Sequence, residues 1–87
     1  MIVRILSEGQ YRVEGATLDK INRLDEELMD ALTRDQADRF HELLHQVAGL
    51  VRSGAELSHE HLVESDLILP ADDTTLEEAK RLFAEPS

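Results

Sequence analysis

Five consecutive residues, His41-Glu42-Leu43-Leu44-His45, spell the H-E-x-x-H pattern of zinc metalloproteases. The chemistry behind that pattern is specific. Two His one turn apart on a helix hold zinc, the Glu acts as general base on the bound water, and a third ligand comes from elsewhere. His59, His61, Glu64 and Asp66 are the third ligands on offer. The surrounding residues speak against a catalytic site. The extended metzincin form needs Gly at 48 and His at 51, where this chain has Ala48 and Val51. On a helical wheel with Phe40 at zero, His41 falls near 100° and His45 near 140°, off the apolar stripe and toward solvent. A zincin's His pair lines a cleft, and the remaining chain is too small to build one. Catalytic residues and metal are therefore not expected, and a minimal zinc hydrolase using 41–45 stands as the alternative.

Other chemistry is sparse. Ser65-Asp66 and Asp72-Asp73 suit caps and turns around Pro70 better than acid–base work. There is no Gly-rich phosphate loop, no nucleophile motif and no residue set that implies a cofactor.

The elements that must position these residues are mostly helical. Leu18, Ile21, Leu24, Leu28 and Leu32 recur at spacings of 3, 3, 4 and 4, which predicts a helix over 18–32 with Thr17 as N-cap. A second helix is predicted from Arg34 to about Arg52, on the stripe Phe40, Leu43, Leu44, Val47, Leu50 and Val51, with Ala37 and Ala48 alongside. Thr33-Arg34-Asp35-Gln36 fits a capping box, and Gly54 suits a left-handed C-terminal residue. So short a junction predicts an αα-hairpin. Ser58–Val63 reads as a short helical turn. Leu67-Ile68-Leu69, stopped by Pro70, reads as a third short strand or an extended segment. A last helix is predicted from about Leu76 to Ala84, opened by a capping box at Thr74 or Thr75. Leu76, Ala79, Leu82 and Phe83 form its buried face.

The start of the chain is different in kind. Ile2, Val3, Ile5 and Leu6 form an apolar run, Ser7-Glu8-Gly9 breaks it, and Tyr11-Arg12-Val13-Glu14 alternates. This predicts a β-hairpin. It begins at Met1, so no signal or transit peptide is expected. The fold class is α+β: an N-terminal β-hairpin from 1–6 and 10–14 in a small antiparallel sheet, joined in one reading by 67–69. It packs on an αα-hairpin and a C-terminal helix. Its open edge is a place for self-pairing or for a partner.

Eighty-seven residues predict one domain over 1–87, with a core of Leu, Ile, Val and Ala, since only one Tyr and two Phe are present. The absence of Cys excludes disulfides and fits a cytoplasmic location. The net charge of −10 argues against nucleic acid, which needs Lys and Arg on phosphates, and against direct docking on an anionic membrane. No apolar run reaches the roughly 20 residues of a spanning helix. A protein partner is the remaining class. The acidic residues Asp25, Glu26, Asp30, Asp35, Asp38 and Glu42, dense on the outward faces of the two long helices, are the candidate partner-binding residues.

Two blocks carry a family resemblance. Met1-Ile2-Val3-Arg4-Ile5-Leu6, then Gly9 and Gln10-Tyr11, resembles the opening of the PspAA family, the small domain associated with phage-shock protein A. Ser65-Asp66-Leu67-Ile68-Leu69-Pro70, followed by Thr75-Leu76-Glu77-Glu78, resembles that family's second block. The resemblance covers the whole length in layout and the two ends in residues; the middle matches in helical character alone. It implies a non-enzymatic accessory module of an envelope-stress system, acting through a PspA-type coiled-coil protein that supports the cytoplasmic membrane. Membrane association would then be indirect. The family as known carries no H-E-x-x-H signature. A homodimer is open as an assembly, and a small dimeric regulatory domain unrelated to envelope stress is the further alternative.

Overall fold

Strand β1 (Ile2–Ile5) turns through residues 6–8 into the antiparallel strand β2 (Gly9–Arg12), in the register Val3↔Tyr11 and Arg4↔Gln10. The computed structural model describes residues 1–58 and 63–84, and at 83 and 84 the backbone alone. The hairpin is as its alternation predicts. Val3, Ile5 and Tyr11 are buried while Arg4 and Arg12 are exposed. Ser7 takes a left-handed φ of 70° in the turn.

Helix α1 spans Gly15–Thr33, three residues earlier than its apolar stripe begins. Gly15 has a φ of +64°, which turns the chain from extended Glu14 straight into the helix. Thr17 therefore lies inside the helix, and no side chain caps its start. Helix α2 spans Ala37–Arg52. The capping box expected at Thr33 is absent, because 31–36 close α1 instead. The Gln36 amide donates to the Ala31 carbonyl at 2.9 Å and the Asp35 amide to the Leu32 carbonyl at 3.3 Å, with Asp35 left-handed at φ 58°. That is a Schellman closure with Asp in the place Gly usually takes. Thr33 turns its hydroxyl back to the Met29 carbonyl at 2.8 Å. Ala37, the first residue of α2, is exposed beside this turn and does not join the stripe.

Gly54 serves close approach, not a left-handed cap. A Cβ there would stand 2.4 Å from the Arg12 carbonyl oxygen and 2.8 Å from Val13 Cγ1. This approach seats β3 (Ala55–Glu56), a strand the sequence does not announce, against β2 through Tyr11↔Glu56 and Arg12↔Ala55. Two residues with no apolar alternation carry no strand signal; β2's free edge defines them.

Residues 67–69 do form a strand, β4 (Leu67–Leu69), but it pairs parallel with β1 through Val3↔Leu67, Arg4↔Ile68 and Ile5↔Leu69. The sheet is thus mixed, in the order β3-β2-β1-β4. The chain reaches β4 through α1, α2 and β3, a connection of the length that parallel pairing requires. The expected short turn at 58–63 falls mostly outside the described residues.

Helix α3 (Leu76–Ala84) has the predicted bounds. Thr75 caps it: the Glu78 amide donates to Thr75 Oγ1 at 3.2 Å, and the hydroxyl lies 3.0 Å from Glu78 Oε1. Ala79 is buried and Leu76 partly so, but Leu82 is 52% exposed. The mean direction of Leu76 and Ala79 leaves Leu82 roughly 90° away on the wheel, on the flank. The side chain of Phe83 lies outside the described residues.

One cluster forms the core. Val3, Ile5, Tyr11, Val13 and Leu69 from the sheet layer meet Ile21, Leu28 and Leu32 of α1, Phe40, Leu44, Val47 and Val51 of α2, and Ala79 of α3. The sheet's inward face and the helical stripes bury each other.

Candidate functional site

The two blocks at the chain ends are joined in space. Asp66 Oδ2 accepts the Ile2 amide at 2.8 Å, and the Asp66 amide donates back to the Ile2 carbonyl at 2.8 Å. Gln10, buried although polar, points away from the core. Its Nε2 donates to the Val63 carbonyl at 2.6 Å and lies 2.8 Å from Ser65 Oγ. The first strand, Gln10 and the Ser65-Asp66 pair thus form one joint that fixes the parallel register of β4.

A second joint lies at the hairpin turn. Glu8 accepts a two-pronged contact from Arg52 at the end of α2, with Nη2 at 2.8 Å and Nε at 2.9 Å. The Tyr11 hydroxyl donates to Glu8 Oε2 at 2.7 Å. Arg52 Nη1 continues to Asp72 Oδ2 at 3.2 Å, and His45 Nδ1 lies 3.3 Å from the same oxygen. Hydrogen bonds from Arg52 first, then from Tyr11, hold the Glu8 carboxyl down to about 2. The bond to Glu8 and burial push the Tyr11 phenol up to about 12. Glu8 and Asp72 in turn hold the Arg52 guanidinium above its ordinary range. This knot ties turn, helix and the loop before α3 together. Neighbouring sequence gives no sign of it, since Glu8 and Arg52 are 44 residues apart.

The acidic candidates divide into three groups. Glu26, Asp38 and Glu42 are exposed, with no ion pair among the described residues. Asp30 and Asp35 are engaged within the chain. Asp30 meets Arg34 at 3.0 Å and Arg39 at 2.9 Å, which pins α1 to α2 and lowers its carboxyl, the Arg39 hydrogen bond leading. Asp35 pairs with Lys80 of α3. Asp25 is half-buried, and burial, then the Glu26 charge beside it, raises its carboxyl.

His41 and His45 are both exposed on α2, as the wheel predicts. His41 packs edge-on to Phe40 at 5.8 Å between ring centres. Among the described residues no three His, Cys, Asp or Glu side chains gather as a metal site. Of the third-ligand candidates, His59 and His61 lie outside the described residues, and Asp66 is the partner of the Ile2 amide.

The family model for the PspA-associated protein, PspAA, matches residues 1–87. This chain belongs to the PspAA family. The match spans the joint between the end blocks and both long helices, so the helical middle, whose residues carry little of the resemblance, falls within the family too. No curated protein and no solved structure gives a match. Among the described residues no helix is long and apolar enough to cross a membrane.

Proposed function

We propose that this PspAA chain is a non-enzymatic accessory module that binds a PspA-type coiled-coil protein in an envelope-stress system. The whole-length family match carries the reading. The free carboxylates of Glu26, Asp38 and Glu42 on the outward helix faces support a partner with basic residues along a helix. Asp30 and Asp35 act indirectly, by holding α2 and α3 in place against α1. The location is cytoplasmic, with the membrane reached only through the partner. Self-pairing through the sheet is the less favoured assembly. Its two edges are β3, with two residues, and β4, with three residues followed by Pro70.

Association with a PspA-type protein, followed by surface plasmon resonance, tests this. Raising salt from about 50 to 300 mM should slow association several-fold, because such charges act mainly on the approach. Glu26→Lys with Glu42→Lys should slow it further while leaving the melting temperature unchanged. An absence of binding, or kinetics indifferent to salt and to these substitutions, would remove the acidic helix face from the mechanism.

A further inference from the structure

The fold accounts for three of the four glycines. Gly9 and Gly15 take positive φ, and Gly54 lets the backbone approach Arg12. Gly49 does neither. It lies inside α2, exposed and without a positive φ, and nothing stands within 4 Å of where its Cβ would be. Glycine is the poorest helix former after proline, so alanine would serve α2 better at this position. Asp38, Glu42, His45 and Gly49 are all exposed and follow one another at spacings of 4, 3 and 4. On the wheel they share one stripe, opposite the core stripe Phe40, Leu44, Val47 and Val51. Asp38 and Glu42 have no ion pair among the described residues. This stripe belongs to the helix layer. The connection after β3 leaves from Leu57 and re-enters at Val63, both bonded to Gln10 on the sheet. Helix α3 runs from Asp72, beside His45, toward Asp35, at the end of α2 away from Gly49.

We propose that a basic helix of the partner crosses α2 at Gly49, its backbone against the bare turn and its Lys or Arg side chains reaching Glu42 and Asp38. This site rests on the coiled-coil reading above and places that partner on α2. Three observations select the occupant. First, a turn without a side chain lets another backbone come close, where helices with full side chains keep their axes about 8–10 Å apart. Second, the two carboxylates repeat at helical spacing on one face, so matching cations must repeat likewise, as they do on a helix. Glu42 is two turns from Gly49, roughly 10 Å along the axis, which one helix spans only in a shallow crossing of about +20°. Third, a negative face turns away the phosphates of nucleic acid and of anionic membranes. A second copy fits poorly. Its own stripe is acidic, and Arg52, three residues past Gly49, is held by Glu8 and Asp72. The carboxylates then govern approach, and Gly49 governs how closely the docked helix packs.

Surface plasmon resonance on an immobilised PspA-type coiled-coil protein, with a thermal melt of each variant, tests the crossing point. Gly49→Ala should raise the melting temperature by roughly 4–8 °C, since alanine is the better helix former. The same variant should dissociate at least about fivefold faster than wild type, a loss of binding in a more stable chain. Gly49→Leu should dissociate faster still, and circular dichroism should show it folded, since the position is exposed. Both variants should associate at the wild-type rate, because Asp38 and Glu42 are untouched. Glu26→Lys with Glu42→Lys should do the converse and slow association. Wild-type dissociation in both glycine variants, with association still sensitive to Glu42, would overturn the crossing point and leave the partner reading standing. An absence of binding by wild type would overturn both. A homodimer in light scattering that Gly49→Leu breaks would replace the basic helix with a second copy and overturn the proposal.

Discussion

Glu8 sits in a tight turn and takes hydrogen bonds from a helix end and from a core tyrosine. That geometry makes acid sensitivity a local property. The Glu8 carboxyl is held from 4.5 down to about 2 in the folded chain. A depressed carboxyl contributes stability that is present above the unfolded value and lost as pH falls toward the folded one. The loss from this residue therefore falls between pH 4.5 and about 2. Glu8 and Arg52 are each about a third exposed, so solvent screening limits the contribution to about 1 kcal/mol. Tyr11 responds at the other end. Its raised phenol favours the neutral form, so the shared bond is lost as pH rises from 10 through about 12. Glu8→Gln should lower stability by about 1 kcal/mol at pH 7 and flatten the drop in melting temperature below pH 4.5. A variant whose acid limb superimposes on wild type would show that other carboxylates control it.

Strand β4 shows how three apolar residues divide their work. Leu69 is 1% exposed in the core cluster, Leu67 packs at its margin, and Ile68 faces outward at 48%. Leu69→Ala should cost about 2–4 kcal/mol in urea unfolding, Leu67→Ala less, and Ile68→Ala under about 0.5 kcal/mol. Equal losses at all three positions would mean that the strand does not alternate. The neighbouring Ser65-Asp66 pair gives a second reason for the segment's place. Its bonds to Gln10 and Ile2 anchor the end of β4 that has no hairpin to guide it.

For the whole molecule, stability rests on one apolar cluster and a few ionic ties between elements. The His pair of α2 points outward, and His45 lies 3.3 Å from Asp72, on the fringe of the Arg52 knot. His41→Ala with His45→Ala should shift stability by less than about 1 kcal/mol, the range of ordinary surface changes. A large fall in melting temperature, reproduced by adding a chelator to wild type, would restore zinc to the account.

The amino-acid pattern alone determined what depends on neighbours within one turn or one strand. The stripes Ile21-Leu28-Leu32 and Phe40-Leu44-Val47-Val51, the hairpin alternation and the outward His pair all follow from periods of 3.6 and 2, while the structure chose Thr75 over Thr74 as the cap. The end blocks also identified the family from a few residues each. What the pattern could not decide depends on which distant segment arrives beside which. β4 pairs parallel with β1 from across two helices and β3, and β3 lies on β2 where Gly54 lets the backbone approach Arg12. Asp30 and Asp35 looked like free surface charge, yet Arg39 and Lys80 are brought to them by packing. Local periodicity selects the elements; only the tertiary structure, by fixing register and contact between remote positions, decides which charges and edges remain open to a partner.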